Sequence, residues 1–382
     1  MSERAGSARA LIASEPQLEA LLRRTAGAPL LALDTEGDGM FRYRARLCTL
    51  QLATADEIAL VDMLALDVTL LGELLGADGP EKVVHDAAFD ARLLFGQGLL
   101  LGSVFDTAVA ARFLGLPATG LSTLLLTLFD VKLPKHKQQA DWGERPLDEE
   151  AIEYLENDVR YLLPLRAALL DQVRARDIEP EVREECAYVL HEAQRPSAEP
   201  SPFARVKGAA ARPPKQRARI YELANVRDEL ARELDVPAGR VLANDLLLRL
   251  AELTELSEAE LARRLPSSVR AQVARFSAAL ERASELHDAP SEELIDDSQV
   301  PPALEISRRK RRRELLVSFR AREAEARAVD AQVVLPGHCV NDLVKLPSLA
   351  REELERVVGL GACRIERYGA RWAAELGPVW TS

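Results

Sequence analysis

What most constrains this chain is the place where its strands stop. Up to about residue 195, short apolar runs with strand periodicity alternate with helical stretches; beyond it the pattern is helical throughout. Leu30 to Thr35 reads as a buried strand, Arg46 to Ala53 alternates apolar and polar, and Glu57 to Asp62 completes a three-strand meander. A helix over Val68 to Leu75 follows, then a strand at Lys82 to His85 and a helix from Ala87 to Phe95. A short strand, Ser103 to Asp106, leads into a helix from Thr107, and helical stretches at Gly120 to Phe129 and Asp148 to Arg176 close the region. Strands alternating with helices imply a three-layer α/β domain over residues 1–195.

The stretch from Gln194 to Pro214 is rich in Pro, Ser and Ala and reads as a linker, assigned to 196–210. Two all-α blocks follow, 211–287 and 304–382, divided by an acidic, Pro-bearing segment at 288–303. They echo each other. Ala231-Arg232-Glu233-Leu234-Asp235 returns as Ala326-Arg327-Ala328-Val329-Asp330, and Ser257-Glu258-Ala259-Glu260-Leu261 as Ala350-Arg351-Glu352-Glu353-Leu354. Two copies of one helical module account for this better than a solenoid, which needs more repeats.

Composition excludes several classes. At 47% hydrophobic and 29% charged residues the chain is an ordinary globular protein. Cys48, Cys186, Cys339 and Cys363 form no C-x-x-C pair, which fits reduced thiols rather than a disulfide framework or a zinc site. No run of about 18 apolar residues occurs, and the first residues carry Glu3 and Arg4 without a signal-like apolar core, so a cytoplasmic protein away from membranes is expected. The net charge of −11 does not exclude nucleic acid, because phosphate binding depends on local patches and bound cations. Basic residues cluster between Phe203 and Ile220 and again at Arg308-Arg309-Lys310-Arg311-Arg312-Arg313; each cluster reads equally as a solvated face.

The chemistry lies in four acids. Asp34 and Glu36 sit two residues apart at the end of an apolar strand, so their carboxylates face one side. Alone the pair says little, since 61 acids in 382 residues give on the order of ten such pairs by chance. At Val83-Val84-His85-Asp86-Ala87-Ala88-Phe89-Asp90 a strand gives way to a helix, which puts Asp90 on its first turn; Asp86 reads as an N-cap. In Tyr154-Leu155-Glu156-Asn157-Asp158, Tyr154 and Asp158 share one helix face. Four carboxylates brought together resist ionising unless cations compensate. Oxygen-only ligands favour Mg²⁺ or Mn²⁺ over zinc, and two such ions about 3.5–4 Å apart clamp a phosphodiester for in-line displacement. A phenol, with a reference pKa of about 10, stays protonated near neutrality, so Tyr154 suits orienting an attacking water better than taking its proton.

In order, spacing and context these three blocks resemble the DEDD exonuclease superfamily, and the Tyr four residues before Asp158 resembles its tyrosine subclass. The resemblance narrows to the ribonuclease D family through Phe105-Asp106-Thr107 and through Lys135, Gln138, Asp141-Trp142 and Arg145-Pro146-Leu147, which match K-x-x-Q-x-x-D-W-x-x-R-P-L. Asp106 again reads as a helix cap. The resemblance implies a ribonuclease H-like fold and two divalent ions, Mg²⁺ or Mn²⁺. Asp34, Glu36 and Asp158 would hold the first ion and Asp34 would bridge to the second. Asp90 would hold that second ion directly or through water. It also implies nucleic-acid contacts at His85, Gln138, Trp142 and Arg145, the last two read equally as a packed corner. Where the family has an aromatic directly after Asp-Thr-Glu, this chain has Gly37-Asp38-Gly39-Met40-Phe41, so Met40 or Phe41 is read either as the contact beside the terminal base or as plain core packing.

The helical half resembles the HRDC domain at Phe203 to Gly208, Val226 to Arg232 and Val241 to Asp245, with Val226 where that family has Trp. The second copy offers Val358-Gly359-Leu360-Gly361, either a bare turn or a turn whose N–H groups meet a phosphate. The implied activity is 3′→5′ hydrolysis of RNA, tRNA precursors among its substrates, with the helical blocks holding structured RNA and a monomer favoured. A DNA exonuclease of the same superfamily and a non-catalytic RNA-binding scaffold are the alternatives; a scaffold has no reason to keep four clustered carboxylates.

Overall fold

The computed structural model describes residues 11–134, 137, 139–196, 199–253, 256–294 and 301–380. They divide into two compact units. One takes the described residues of Met1–Gly37, Leu47–Arg195 and Pro302–Ser382, the other those of Asp38–Arg46 and Pro196–Pro301.

The first unit is built on five strands, β1 (Leu30–Gly37), β2 (Leu47–Ala53), β3 (Ile58–Asp62), β4 (Glu81–Val84) and β5 (Val104–Asp106), in the order β3-β2-β1-β4-β5. The expected meander is present: β1 runs antiparallel to β2 and β2 to β3, while β4 joins β1 in parallel and β5 joins β4 in parallel. Every residue of β2 and β3 is buried, so both faces of the sheet are covered. The register of β1 with β2 shifts between Glu36 and Gly37, a bulge at the strand end that carries the acids.

Around the sheet lie α1 (Glu15–Thr25), α2 (Gly72–Leu75), α3 (Ala87–Gly96), α4 (Thr107–Phe113), α5 (Leu121–Phe129), α6 (Glu149–Arg160), α7 (Leu162–Ala175) and α8 (Glu179–Ala193). Leu31 and Leu33 pack with Leu18 and Leu21 of α1, Ala91 and Leu94 of α3 and Leu190 of α8. Ala32 and Val83 pack instead with Tyr154, Leu155 and Val159 of α6. Alternation along β1 thus sends odd positions to one helical layer and even positions to the other. The single helix expected over Asp148 to Arg176 is two, broken at Tyr161. Pro164 is the physical reason: it lacks an N–H, and its ring would meet the carbonyl of Arg160 in a continuous helix. α1 and α8, absent from the sequence reading, both begin with a proline in the first turn, where a missing N–H costs nothing.

The same unit holds α14 (Ala303–Arg327), α15 (Ala331–Val334), α16 (Gly337–Leu343), α17 (Arg351–Leu354), α18 (Ala362–Glu375) and α19 (Gly377–Trp380), with Phe319, Tyr368, Trp372 and Trp380 in its core. It locks onto α8. Arg364, fully buried, donates to the Val333, Leu360 and Glu181 carbonyls and to Glu184, and Arg327 pairs with the buried Glu181. The glycine turn before α18 does not hold its amides open for a phosphate: the Glu184 carboxylate accepts the Cys363 N–H at 2.9 Å. A Cβ on Gly361 would fall 2.0 Å from Glu184 Oε2 and one on Gly359 2.4 Å from the Tyr188 ring. A carboxylate of the α/β domain therefore fills the anion place at this helix N-terminus.

The second unit contains α9 (Pro214–Glu233), α10 (Ala238–Val241), α11 (Asn244–Glu252), α12 (Glu258–Arg264) and α13 (Val273–Glu285). Its succession of long, very short and medium helices repeats from α14 to α18, which is the internal echo seen in the sequence. Ser257 and Glu260 form a capping box at α12, whereas Ala350 leaves α17 without a side-chain cap. The composition-based linker is not a free one. Phe203, Val206 and Ala209 are buried in this unit's core with Leu223 and Phe276, since three apolar residues at near-helical spacing repay packing even among prolines and serines. Ala289 packs there too, and Arg217 pairs with Asp288, so part of the acidic stretch is also ordered. The segment Asp38–Arg46 belongs here as well: the Tyr43 hydroxyl donates to Asp228 at 2.8 Å, and Arg42 pairs with Asp235.

Candidate active site

β1 ends at the middle of the sheet, with Asp34 and Glu36 on the face toward α6. α6 starts at Asp148, whose carboxylate accepts the Ala151 N–H, and presents Tyr154 and Asp158 one turn apart. The result is that oxygens of Asp34, Glu36 and Asp158 lie within 4.8 Å of one another. They line a cleft of about 410 Å³, together with Tyr154, His85, Phe89 and the start of α5.

Asp90 arrives differently. It is on α3, in the layer that packs on the odd positions of β1, and its Oδ1 accepts the Thr35 hydroxyl at 2.5 Å. Thr35 alternates away from Asp34 and Glu36, so the structure brings three of the four acids into one oxygen cluster and holds the fourth beside it. Asp90 is nonetheless close enough for the charge of Asp34 to act on it.

The electrostatics follow from burial. Removal from water pushes the Asp34 carboxyl up to about 7. Burial, with Asp34 adding repulsion, pushes Glu36 up to about 8; burial, then the charges of Asp34, Glu36 and Asp90, pushes Asp158 up to about 9. Asp90 is raised well above its ordinary value, first by burial and then by Asp34. These carboxyls cannot all ionise at neutral pH without positive charge supplied to the cluster. An all-oxygen set of hard carboxylates, with neither His nor Cys among the clustered groups, matches magnesium or manganese and not zinc. The donor set therefore fits the cation class that the sequence suggests.

The remaining sequence candidates separate. His85 lines the cleft, its Nδ1 2.9 Å from the Thr107 hydroxyl, and burial pushes its imidazole below the ordinary value, which favours a neutral ring. Trp142 and Arg145 are corrections to an RNA-facing reading. Trp142 is 2% exposed and lies against the Tyr154 ring, centroids 5.6 Å apart. Arg145 is spent on a fork with Asp62, both contacts 2.8 Å, and on the carbonyls of Cys48, Trp142 and Glu144. The Trp142 ring braces Tyr154, and Arg145 in turn holds the Trp142 carbonyl. Met40 and Phe41 fall in the helical unit, the Phe41 ring 4.9 Å beneath the Arg240 guanidinium. Lys135 and Gln138 lie outside the described residues.

Two acids outside the cluster stand at helix starts, and only Asp106 caps with its side chain. Asp106 accepts from Ala108 and Val109 at the start of α4 and also from Asp86 and Ala87 at the start of α3. Asp86 stands at the N-cap of α3 with a left-handed φ of 66° and makes no side-chain cap bond. Phe89, half-exposed, also lines the cleft; an aromatic beside a candidate ligand is too common to single out from sequence.

Known proteins match the chain in both the α/β and the helical regions. A family profile described as 3′-5′ exonuclease matches residues 10–174, and the HRDC domain profile matches 216–280. Ribonuclease D of Desulfotalea psychrophila is 31% identical over 257 residues, covering 66% of this chain and 69% of that one. Ribonuclease D of Escherichia coli is 29% identical over 254 residues, covering 66% and 68%. Among solved structures, the crystal structure of Escherichia coli RNase D, an exoribonuclease involved in structured RNA processing, superposes with a TM-score of 0.70 at 24% identity, covering 96% of this chain and 99% of that one. A protein from Bifidobacterium adolescentis superposes with a TM-score of 0.75 at 21% identity and the same coverage.

Proposed function

The chain belongs to the ribonuclease D family, and from that premise we propose that it removes nucleotides one at a time from RNA 3′ ends, releasing nucleoside 5′-monophosphates. The observation that carries this reading is the convergence of Asp34, Glu36 and Asp158 within 4.8 Å, all pushed up to about 7 to 9 and so in need of a cationic partner.

In this reading Asp34, Glu36 and Asp158 would hold one magnesium or manganese ion, and Asp34 and Asp90, the latter directly or through water, would serve a second. When bound, the pair of ions supplies charge compensation for the phosphodiester and lowers the pKa of the attacking water. The chain's own residues do the rest. The Tyr154 phenol, fixed by the Trp142 ring, orients the attacking water by hydrogen bonding. Thr35 holds Asp90 in place, and the Arg145–Asp62 fork keeps the Trp142 corner, and hence Tyr154, from shifting. His85, which lines the cleft, contacts the RNA backbone in this reading.

RNA is favoured over DNA by the relatives' activity, and 3′-extended tRNA precursors are the substrates we assign. The HRDC-type unit at 216–280 is proposed to hold the structured part while a single-stranded tail enters the cleft. The test is product analysis on a 3′-extended tRNA and a matched DNA oligonucleotide, with Mg²⁺ and with excess chelator. Stepwise release of 5′-mononucleotides from the RNA only when the cation is present supports the reading. Faster loss of the DNA makes the chain a deoxyribonuclease, and turnover in excess chelator removes the metal mechanism.

A further inference from the structure

His85 and Asp90, both used in the proposed reaction, flank one sharp turn where β4 ends and α3 begins. Between them Asp86 has a left-handed φ of 66°, a conformation that costs a residue with a Cβ and so must be held. Its own side chain makes no cap bond. The hold comes from β5. Asp106, 1% exposed at the end of that strand, accepts the Asp86 N–H at 3.1 Å and the Ala87 N–H at 2.9 Å, so the amides on both sides of the kinked residue end on one carboxylate. Thr107, next in the chain, donates to the Val84 carbonyl and lies 2.9 Å from His85 Nδ1. Asp106 is itself tied down, its N–H donating to the buried Cys186 Sγ of α8 at 3.4 Å.

A cap for α4 alone would be the ordinary role, and it accounts for the Ala108 and Val109 N–H groups, both on Oδ1. It does not account for the two amides of the β4–α3 turn. Asn or Ser caps a helix as well as Asp does, and a neutral cap would not add to the repulsion that Asp106 exerts on Asp90. What the carboxylate supplies beyond them is a second acceptor oxygen. Oδ2 takes Ala87, the first residue of the helix that carries Asp90 to the Thr35 hydroxyl.

Resting on the function assigned above, we propose that Asp106 is a positioning residue for the reaction: it sets the turn from β4 into α3 and so fixes Asp90 beside the Asp34 cluster. The different bonds of its two oxygens make the two roles separable. In Asp106→Asn the amide oxygen keeps the Oδ1 place and α4 keeps its cap, while the amide NH2 meets the Ala87 N–H donor to donor and frees the start of α3. Asp106→Ser likewise caps α4 through its hydroxyl and lacks a second oxygen for Ala87.

The test is a Mn²⁺ titration of the full chain, followed by electron paramagnetic resonance with a phosphorothioate-ended oligoribonucleotide bound. Cleavage of the unmodified strand and urea unfolding in EDTA are measured beside it. Both variants should keep one tightly held Mn²⁺, bind the second about 10- to 100-fold more weakly and lose kcat over the same range with KM unchanged. Asp67→Ala, which removes the side-chain cap of the separate short helix Val68–Leu71, measures cap loss alone; it should bind both ions and turn over as the wild type does. Two ions held as in the wild type by either variant, both sites weakened alike, or the same second-ion loss in Asp67→Ala would each overturn the assignment. A wild type that binds fewer than two ions or releases no nucleotides defeats the function itself, and the role of Asp106 with it.

Discussion

Replacing Asp158 by Asn should make the metal-free protein more stable while it destroys activity. Burial and three neighbouring carboxylates push Asp158 up to about 9, against about 3.9 for an unfolded chain. Between those values the folded state holds a proton that the unfolded state has released. Stability therefore falls as pH rises through that window and levels off above it. At pH 7 the cost spans about three pH units at 1.36 kcal/mol each, roughly 4 kcal/mol. Asn has nearly the same shape and nothing to ionise, so Asp158→Asn removes that cost. Urea unfolding of the full chain in EDTA, followed by tryptophan fluorescence at pH 5, 7 and 9, measures it. The variant should gain about 1.5 kcal/mol at pH 5, up to about 4 kcal/mol at pH 7 and more at pH 9. Added Mg²⁺ should stabilise the wild type and leave the variant unmoved. A variant less stable than wild type in EDTA at pH 7, or a wild type equally stable at pH 5 and 9, refutes the reasoning.

Asp34→Asn should lower kcat by more than about 100-fold, beyond the loss seen when only an outer partner of a metal ligand is removed, with RNA affinity by filter binding kept or tightened. Trp142→Ala should cost about 3–5 kcal/mol of stability in the same urea assay, because it empties a buried aromatic site behind Tyr154; a loss of RNA affinity at unchanged stability would return Trp142 to the RNA-facing role. Ending the chain at Pro301 should lower the unfolding midpoint of what remains, since it strips Arg327 and Arg364 from Glu181 and Glu184; an unchanged midpoint would show that α8 does not need that cover.

Much of the site was legible in the sequence because each half-motif sits on an element with a clear period. Asp34 and Glu36 close an apolar strand, and Tyr154 and Asp158 are spaced by one helical turn, so their faces follow from local geometry. Asp90 was legible in position and not in posture, because its hold on Thr35 depends on which layer α3 joins. The break at Tyr161 was written in Pro164 and overlooked within a strong helical pattern. Other features could not be read along the chain at all. Glu184 fills the glycine turn from 179 residues away, and Tyr43 finds Asp228 across 185. Composition misjudged 196–210, where Phe203 and Val206 outweigh their prolines and serines. Trp142 and Arg145 form a motif for packing as readily as for binding, and only the Asp62 fork decides between them.

The central claim is that these carboxylates tolerate their crowding by sharing a pair of divalent cations. Electron paramagnetic resonance of the Mn²⁺-loaded protein, with a phosphorothioate-ended oligoribonucleotide in the cleft, tests it most directly. Two ions about 3.5–4 Å apart should give a spin-coupled spectrum that disappears in Asp34→Asn. A spectrum of isolated or freely hydrated manganese at full loading, identical in wild type and variant, would contradict the account.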